Sequence, residues 1–203
     1  MSYMENSSYV QRVRHACLLH ASDLLLGARL LKQSDLPHLA LNYAVIAIEE
    51  VGKGVLIRLG EEANKDDEGT WSLRAMDDHV RKLFFALWGP TFGREVITKE
   101  QIETHVGYAR RLHEKRMRAL YVPTIGELVP PHDTVPADEV QAIIELATVR
   151  LNLEGATKFP ELTPQEKQRL TWFLAGTRDD DTRAKILSGA SMAKLAELGD
   201  GKA

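Results

Sequence analysis

One cysteine, Cys17, is all that 203 residues contain. An internal disulfide framework is therefore excluded, and a reducing compartment, the cytoplasm, is expected. Neither sign of charge dominates: 26 lysines and arginines face 29 aspartates and glutamates, for a net charge of −3 and a pI near 6.2. No global basic field therefore advertises nucleic acid or an anionic membrane, and any such contact must come from a local patch. There is no run of 18 apolar residues, and the first residues, MSYMENSSYVQR, are polar, so neither a membrane span nor a signal peptide is expected. Several catalytic motifs are missing as well. The GKG at 52–54 lacks the GxxxxGK[ST] frame of a phosphate loop and has no strand to feed it. No ExxH occurs, which argues against a di-metal carboxylate bundle, and the HEKRM at 113–117 is not HExxH, so zinc hydrolysis has no support. Neither a metal nor an organic cofactor is expected.

What is present is apolar residues at helical spacing, 44% of the chain being hydrophobic, without convincing alternation at period two. The fold class is all-α. Helices are expected over about 7–33, 37–59 and 72–88, from Thr98 to about Leu120, over 136–156, from Thr163, and over 179–198. Asp35 and Pro37 supply the opening signal of the second helix, while Thr98 and Gln101 resemble a capping box for the fourth. The segment YVPTIGELVPPHDTVP, with four prolines, is the one plausible internal boundary. It divides a four-helix half, 1–125, from a C-terminal helical extension, 126–203, packed on that core.

The second helix carries an anomaly. Between Leu39 and Ile57 nearly every side of it is apolar, yet Glu49, Glu50 and Lys53 sit in the middle, with glycines at 52 and 54. Isolated buried charges are costly enough that such groups pair or do chemical work. Glu49 and Lys53 are i,i+4 partners in the favourable order, and Glu50 points about 100° away. Each glycine costs about 1 kcal/mol relative to alanine in a helix interior, so the use expected of them is to let a neighbouring backbone come close.

Two more stretches carry chemistry. In MDDHVRKLFFALW, His79 and Lys82 are spaced i,i+3 on the border of an apolar stripe and can reach one point. In ARRLHEKRMRALYV, Arg110, Arg111, His113, Lys115, Arg116 and Arg118 fall within nine residues, with Tyr121 closing the helix. This is the local basic patch that the net charge conceals, and arginine forks suit phosphate.

Taken in order, Glu49–Glu50–Val51–Gly52–Lys53, Asp78–His79–Val80–Arg81–Lys82 and Arg118–Ala119–Leu120–Tyr121–Val122 resemble the abortive-infection V (AbiV) family of the HEPN superfamily, over roughly residues 10–125. The resemblance implies a HEPN-like up-and-down helical bundle used in bacterial defence against phage. It also implies a superfamily rich in metal-independent endoribonucleases that act as homodimers. The usual HEPN signature, Arg, four to six residues, then His, is matched by Arg14/His20 and Arg74/His79. Composition alone yields about 1.5 such matches, and neither lies on a late helix where the signature is usually placed.

On this basis RNA cleavage by a toxin-like protein is the leading expectation. His79 is the acid or base; Lys53, Lys82 and Arg116 hold phosphate charge; Glu49 or Glu50 orients the cations; and Tyr121 donates a hydrogen bond or stacks on a base. Arg110, Arg111, Lys115 and Arg118 would bind RNA. The alternative is a non-catalytic HEPN protein that blocks translation or regulates a partner by binding, in which case the same cluster is a buried polar network fixing the bundle. The expected partners are RNA or the translation machinery, a phage-encoded activator, and a second copy of the chain, with no membrane involved.

Overall fold

A computed structural model describes residues 9–63, 78–88, 99–122 and 129–157, together with 163, 164, 167, 170 and 174. The described elements are α1 (Tyr9–Gln33), α2 (Pro37–Ala63), α3 (His79–Trp88), α4 (Lys99–Leu120), a short 3-10 turn (Pro131–Thr134) and α5 (Ala137–Ala156), with no strand among the described residues. The protein is all-α, as expected. Residues 72–77 of the helix expected over 72–88, and the whole of the helix expected over 179–198, lie outside the described residues.

Helix α2 is the axis of the molecule, packed by α1, α3, α4 and α5. Its wheel explains why: Ala40, Leu41, Ala44, Val45, Ala47, Ile48, Val51, Val55, Leu56 and Leu59 are all buried, so no single apolar stripe exists and neighbours cover it on several sides. Pro37 opens α2, where its fixed φ fits the first turn. Asp35 acts differently from the cap expected of it: it takes φ 57, the left-handed conformation that ends α1, while the Leu36 N–H donates to the Leu31 carbonyl at 3.0 Å. Helix α5 contributes Val140, Ile143, Ile144 and Ala147 to the same core as the first four helices.

The third helix starts later than its apolar stripe suggests. Asp78 is non-helical, and its Oδ1 accepts the Arg81 N–H at 3.0 Å, the bond of an N-cap to the third helical residue. His79 therefore sits at the first helical position and Lys82 one turn on. Behind them Arg81 to Trp88 are all buried, and Phe84, Phe85 and Trp88 pack ring to ring.

The two glycines of α2 prove unequal. A Cβ on Gly52 would lie 1.8 Å from the Lys82 carbonyl oxygen, so only glycine lets the α3 backbone come this close. At Gly54 the neighbour is the Leu18 side chain of α1, 3.3 Å from the position of a Cβ. The backbone approach expected of both is made at Gly52 alone.

A second buried carboxylate ties three helices together. Glu154 of α5, fully enclosed, accepts from Arg58 Nε and Nη2 of α2 at 2.7 Å each, and from Arg14 Nε and Nη2 of α1 at 3.0 and 2.8 Å. Arg14 Nη2 also donates to the Glu154 backbone carbonyl at 2.9 Å. Both carboxylate oxygens are thus engaged by guanidinium forks, the geometry in which an ion pair best offsets its own desolvation.

Candidate functional site

On the α3–α4 side of α2, Glu49 is only 3% exposed and gathers cations from two other helices. Its Oε2 lies 2.8 Å from His79 Nδ1 and 3.8 Å from Lys82 Nζ, and its Oε1 lies 3.3 Å from Arg116 Nη1. The first contact is a hydrogen bond. The other two are ion pairs, and Oε1 accepts no hydrogen bond from a described residue. Lys82 and Arg116 are themselves nearly buried, whereas the His79 side chain is 43% exposed and forms the open edge of the cluster.

Local sequence explains the convergence. Capping by Asp78 places His79 and Lys82 on one face of α3, i,i+3, and Gly52 lets that face reach Glu49, one turn earlier on α2. Arg116 comes from the buried face of α4 that Val106, Ala109 and Leu112 define. With Nδ1–H donating to the carboxylate, the His79 tautomer is fixed and Nε2 is left for a ligand.

Four of the residues singled out from sequence, Glu49, His79, Lys82 and Arg116, thus meet. Glu50 and Lys53 do not join them. They pair with each other at 3.8 Å on the α1 side of α2, beside Cys17. The i,i+4 pair expected between Glu49 and Lys53 is therefore replaced, because Glu49 turns toward His79, Lys82 and Arg116 on neighbouring helices and Lys53 reaches Glu50 instead. Burial pushes the Cys17 thiol up to about 11; Lys53 opposes the shift, while the Glu50 carboxylate adds to it, also by accepting the thiol hydrogen bond.

The basic run divides in the same way. Arg110, exposed, lies one turn before His113 on the same face of α4. Arg111 and Arg118, also exposed, lie about 150° round the helix from His113, and the Arg111 guanidinium sits over the Tyr108 ring at 5.7 Å. Lys115 is bonded to Glu139 of α5. Tyr121 is exposed just past the end of α4, with its backbone N–H closing the last turn on the Met117 carbonyl.

One residue of the cluster was hidden in the charge run. The His113 ring stacks on His79, centroids 5.4 Å apart and planes 17° from parallel. Its spacing of three from Arg116 is the only signal that could have found it, and in a run of six basic residues that signal is lost. Among the described residues no group of three or more His, Cys, Asp or Glu side chains is placed to hold a metal ion.

An all-α bundle with a buried glutamate presenting a histidine, a lysine and an arginine at one edge defines a helical protein with a polar interhelical site. Its family follows from comparison: the HEPN model described as AbiV matches residues 9–152, and the chain belongs to that family. The match extends beyond the quoted motifs through most of α5. Neither curated proteins nor solved structures yield a match. Among the described residues, no helix is long and apolar enough to cross a membrane.

Proposed function

We propose that this AbiV-family chain is an abortive-infection protein that cleaves RNA at the Glu49 cluster, as a toxin-like, metal-independent endoribonuclease. The observation that carries this reading is the partly exposed His79, anchored through Nδ1 to a buried carboxylate and flanked by Lys82 and Arg116. RNA brings its own nucleophile, so the protein's share of the work is proton transfer and charge stabilisation. His79 Nε2 takes the 2′-hydroxyl proton as that oxygen attacks phosphorus. It returns a proton to the 5′ oxygen as the P–O5′ bond breaks, leaving a 2′,3′-cyclic phosphate and a 5′-hydroxyl. Lys82 and Arg116 offset the charge that builds on the phosphorane oxygens, and Glu49 holds all three groups in place. Arg110 is the arginine of the run best placed to hold the adjoining backbone phosphate.

This reading leaves Glu50, Lys53 and Tyr121 outside the chemistry and Arg111, Lys115 and Arg118 outside the immediate RNA contact. Its test is the incubation of purified wild-type and His79→Ala protein with total RNA in EDTA. Cleavage by the wild type alone supports the reading. Equal cleavage by both, or by neither, removes it.

The second reading, a non-catalytic protein that blocks translation or regulates a partner by binding, is favoured by the state of the Arg–His signature. Arg14 of the Arg14/His20 match is committed to Glu154; Arg74 of the other match lies outside the described residues and favours neither reading. Arrest of a cell-free translation reaction with all RNA intact would favour it. A phage-encoded activator fits either reading, and harmless expression without phage would point to such a trigger. A homodimer is part of the proposal: Leu19, Leu26 and Leu30 recur along the outer face of α1, each more than half exposed. Light scattering at micromolar concentration checks it.

A further inference from the structure

His113 belongs to the cluster by contact, but its environment differs from that of His79. His79 Nδ1 rests on a carboxylate. His113 Nδ1 is enclosed and has no hydrogen-bond partner among the described residues, although the residue as a whole is only partly buried. A buried N–H without an acceptor is rarer and costlier than a buried lone pair without a donor. The neutral ring therefore keeps its proton on Nε2.

We infer that His113, within the RNA-cleavage reading on which this inference rests, acts as a neutral hydrogen-bond donor, giving its Nε2–H to a non-bridging oxygen of the phosphate that His79 serves. The stacked rings set the two imidazoles side by side, 5.4 Å between centroids, close enough for both to serve one phosphate. The charges facing His113 agree with a neutral ring. Burial lowers its proton affinity first, then Arg116 on its own helix and His79 on α3; Glu49 on α2 and Asp78 at the start of α3 pull the other way without reversing the shift. No proton leaves His113 in this role. The ring polarises the phosphoryl oxygen while the charge there grows, as a preorganised donor does, and His79 alone carries the proton from the 2′-oxygen to the 5′-oxygen.

The experiment compares wild type, His113→Gln and His113→Ala on a defined RNA across pH 5 to 9, with circular dichroism to show that each variant is folded. Glutamine places an amide N–H near the position of Nε2 but cannot shuttle a proton. The expected result is a loss of about 10²-fold in rate for alanine, the scale of removing one oxyanion donor. Glutamine should restore most of that rate, with the pH profile of the wild type. Nitrogen-15 NMR of the folded wild type at pH 7 should show His113 protonated on Nε2 alone. Three results overturn the inference while leaving RNA cleavage standing: a glutamine variant as slow as alanine, a pH limb displaced in the glutamine variant, or an alanine variant as fast as wild type. An Nδ1–H tautomer or an imidazolium at pH 7 overturns it as well. A wild type that cleaves no RNA removes both readings together.

Discussion

Among the described residues two glutamates are buried, and they are opposites. Glu154 is enclosed between Arg14 and Arg58, two permanently charged forks, with every contact between 2.7 and 3.0 Å. Glu49 is nearly as buried, yet its partners are a titratable histidine, a lysine at 3.8 Å and an arginine at 3.3 Å, and one edge of the set opens to solvent. The first arrangement uses up its carboxylate. The second holds a histidine, a lysine and an arginine together while leaving them capacity for an anion from outside. Burial of a charge is thus common to clamp and site, and saturation of its partners separates them.

The largest expected effect breaks the clamp. Glu154→Ala leaves two guanidinium groups facing each other in the core and should cost about 3–5 kcal/mol, read as a fall in the urea midpoint at unchanged slope. Glu49→Gln sharpens the contrast: it keeps the shape of the site but takes the counter-charge from Lys82 and Arg116, so a smaller loss of about 1–3 kcal/mol should accompany a fall of about 10²-fold in RNA cleavage through loss of the anchored His79 proton carrier. Equal stability losses in the two glutamate variants would remove the distinction. Gly52→Ala comes next, because the added methyl meets the Lys82 backbone and α3 must move; a loss of about 1–3 kcal/mol in thermal unfolding should accompany slower cleavage.

Smaller effects belong to the far side of α2. The Cys17 thiol titrates near 11 when folded and at 9.0 when exposed, so its share of stability is complete below about 9 and is lost as pH rises from there toward about 11. Its alkylation at neutral pH should be slow until denaturant is added. The smallest effect is expected for Lys53→Gln, which removes one half-exposed ion pair: a change within about 0.5 kcal/mol, with cleavage unaltered. A large loss of cleavage in that variant would return Lys53 to the site.

Fold class and most helix limits were legible because they rest on local signals: Pro37 at a first turn, periodic apolar faces, an apolar second helix that had to be surrounded. The charges of that helix were rightly marked as anomalous, and Gly52 as a point of close approach. What local reasoning missed was direction. An i,i+4 rule pairs Glu49 with Lys53, but the three partners brought in by tertiary packing outcompete one lysine on the same helix. The start of α3 was missed because an apolar stripe continues through a residue whose side chain caps the helix. The Arg14–Glu154–Arg58 clamp had no signature at all, since its members stand 140 and 96 positions apart and each is ordinary in its own segment. His113 was hidden by its neighbours: in a run of basic residues, only packing shows which one turns inward.

The clamp also decides where this protein can be shortened. The family match ends at residue 152, and Glu154 stands two positions beyond it. A chain cut at that limit would keep nearly all of α5 and every residue of the Glu49 cluster, yet it would strand Arg14 and the buried Arg58 without their anion. A self-sufficient unit must carry the counter-charges of its own core, and one of them stands past the end of the recognisable sequence.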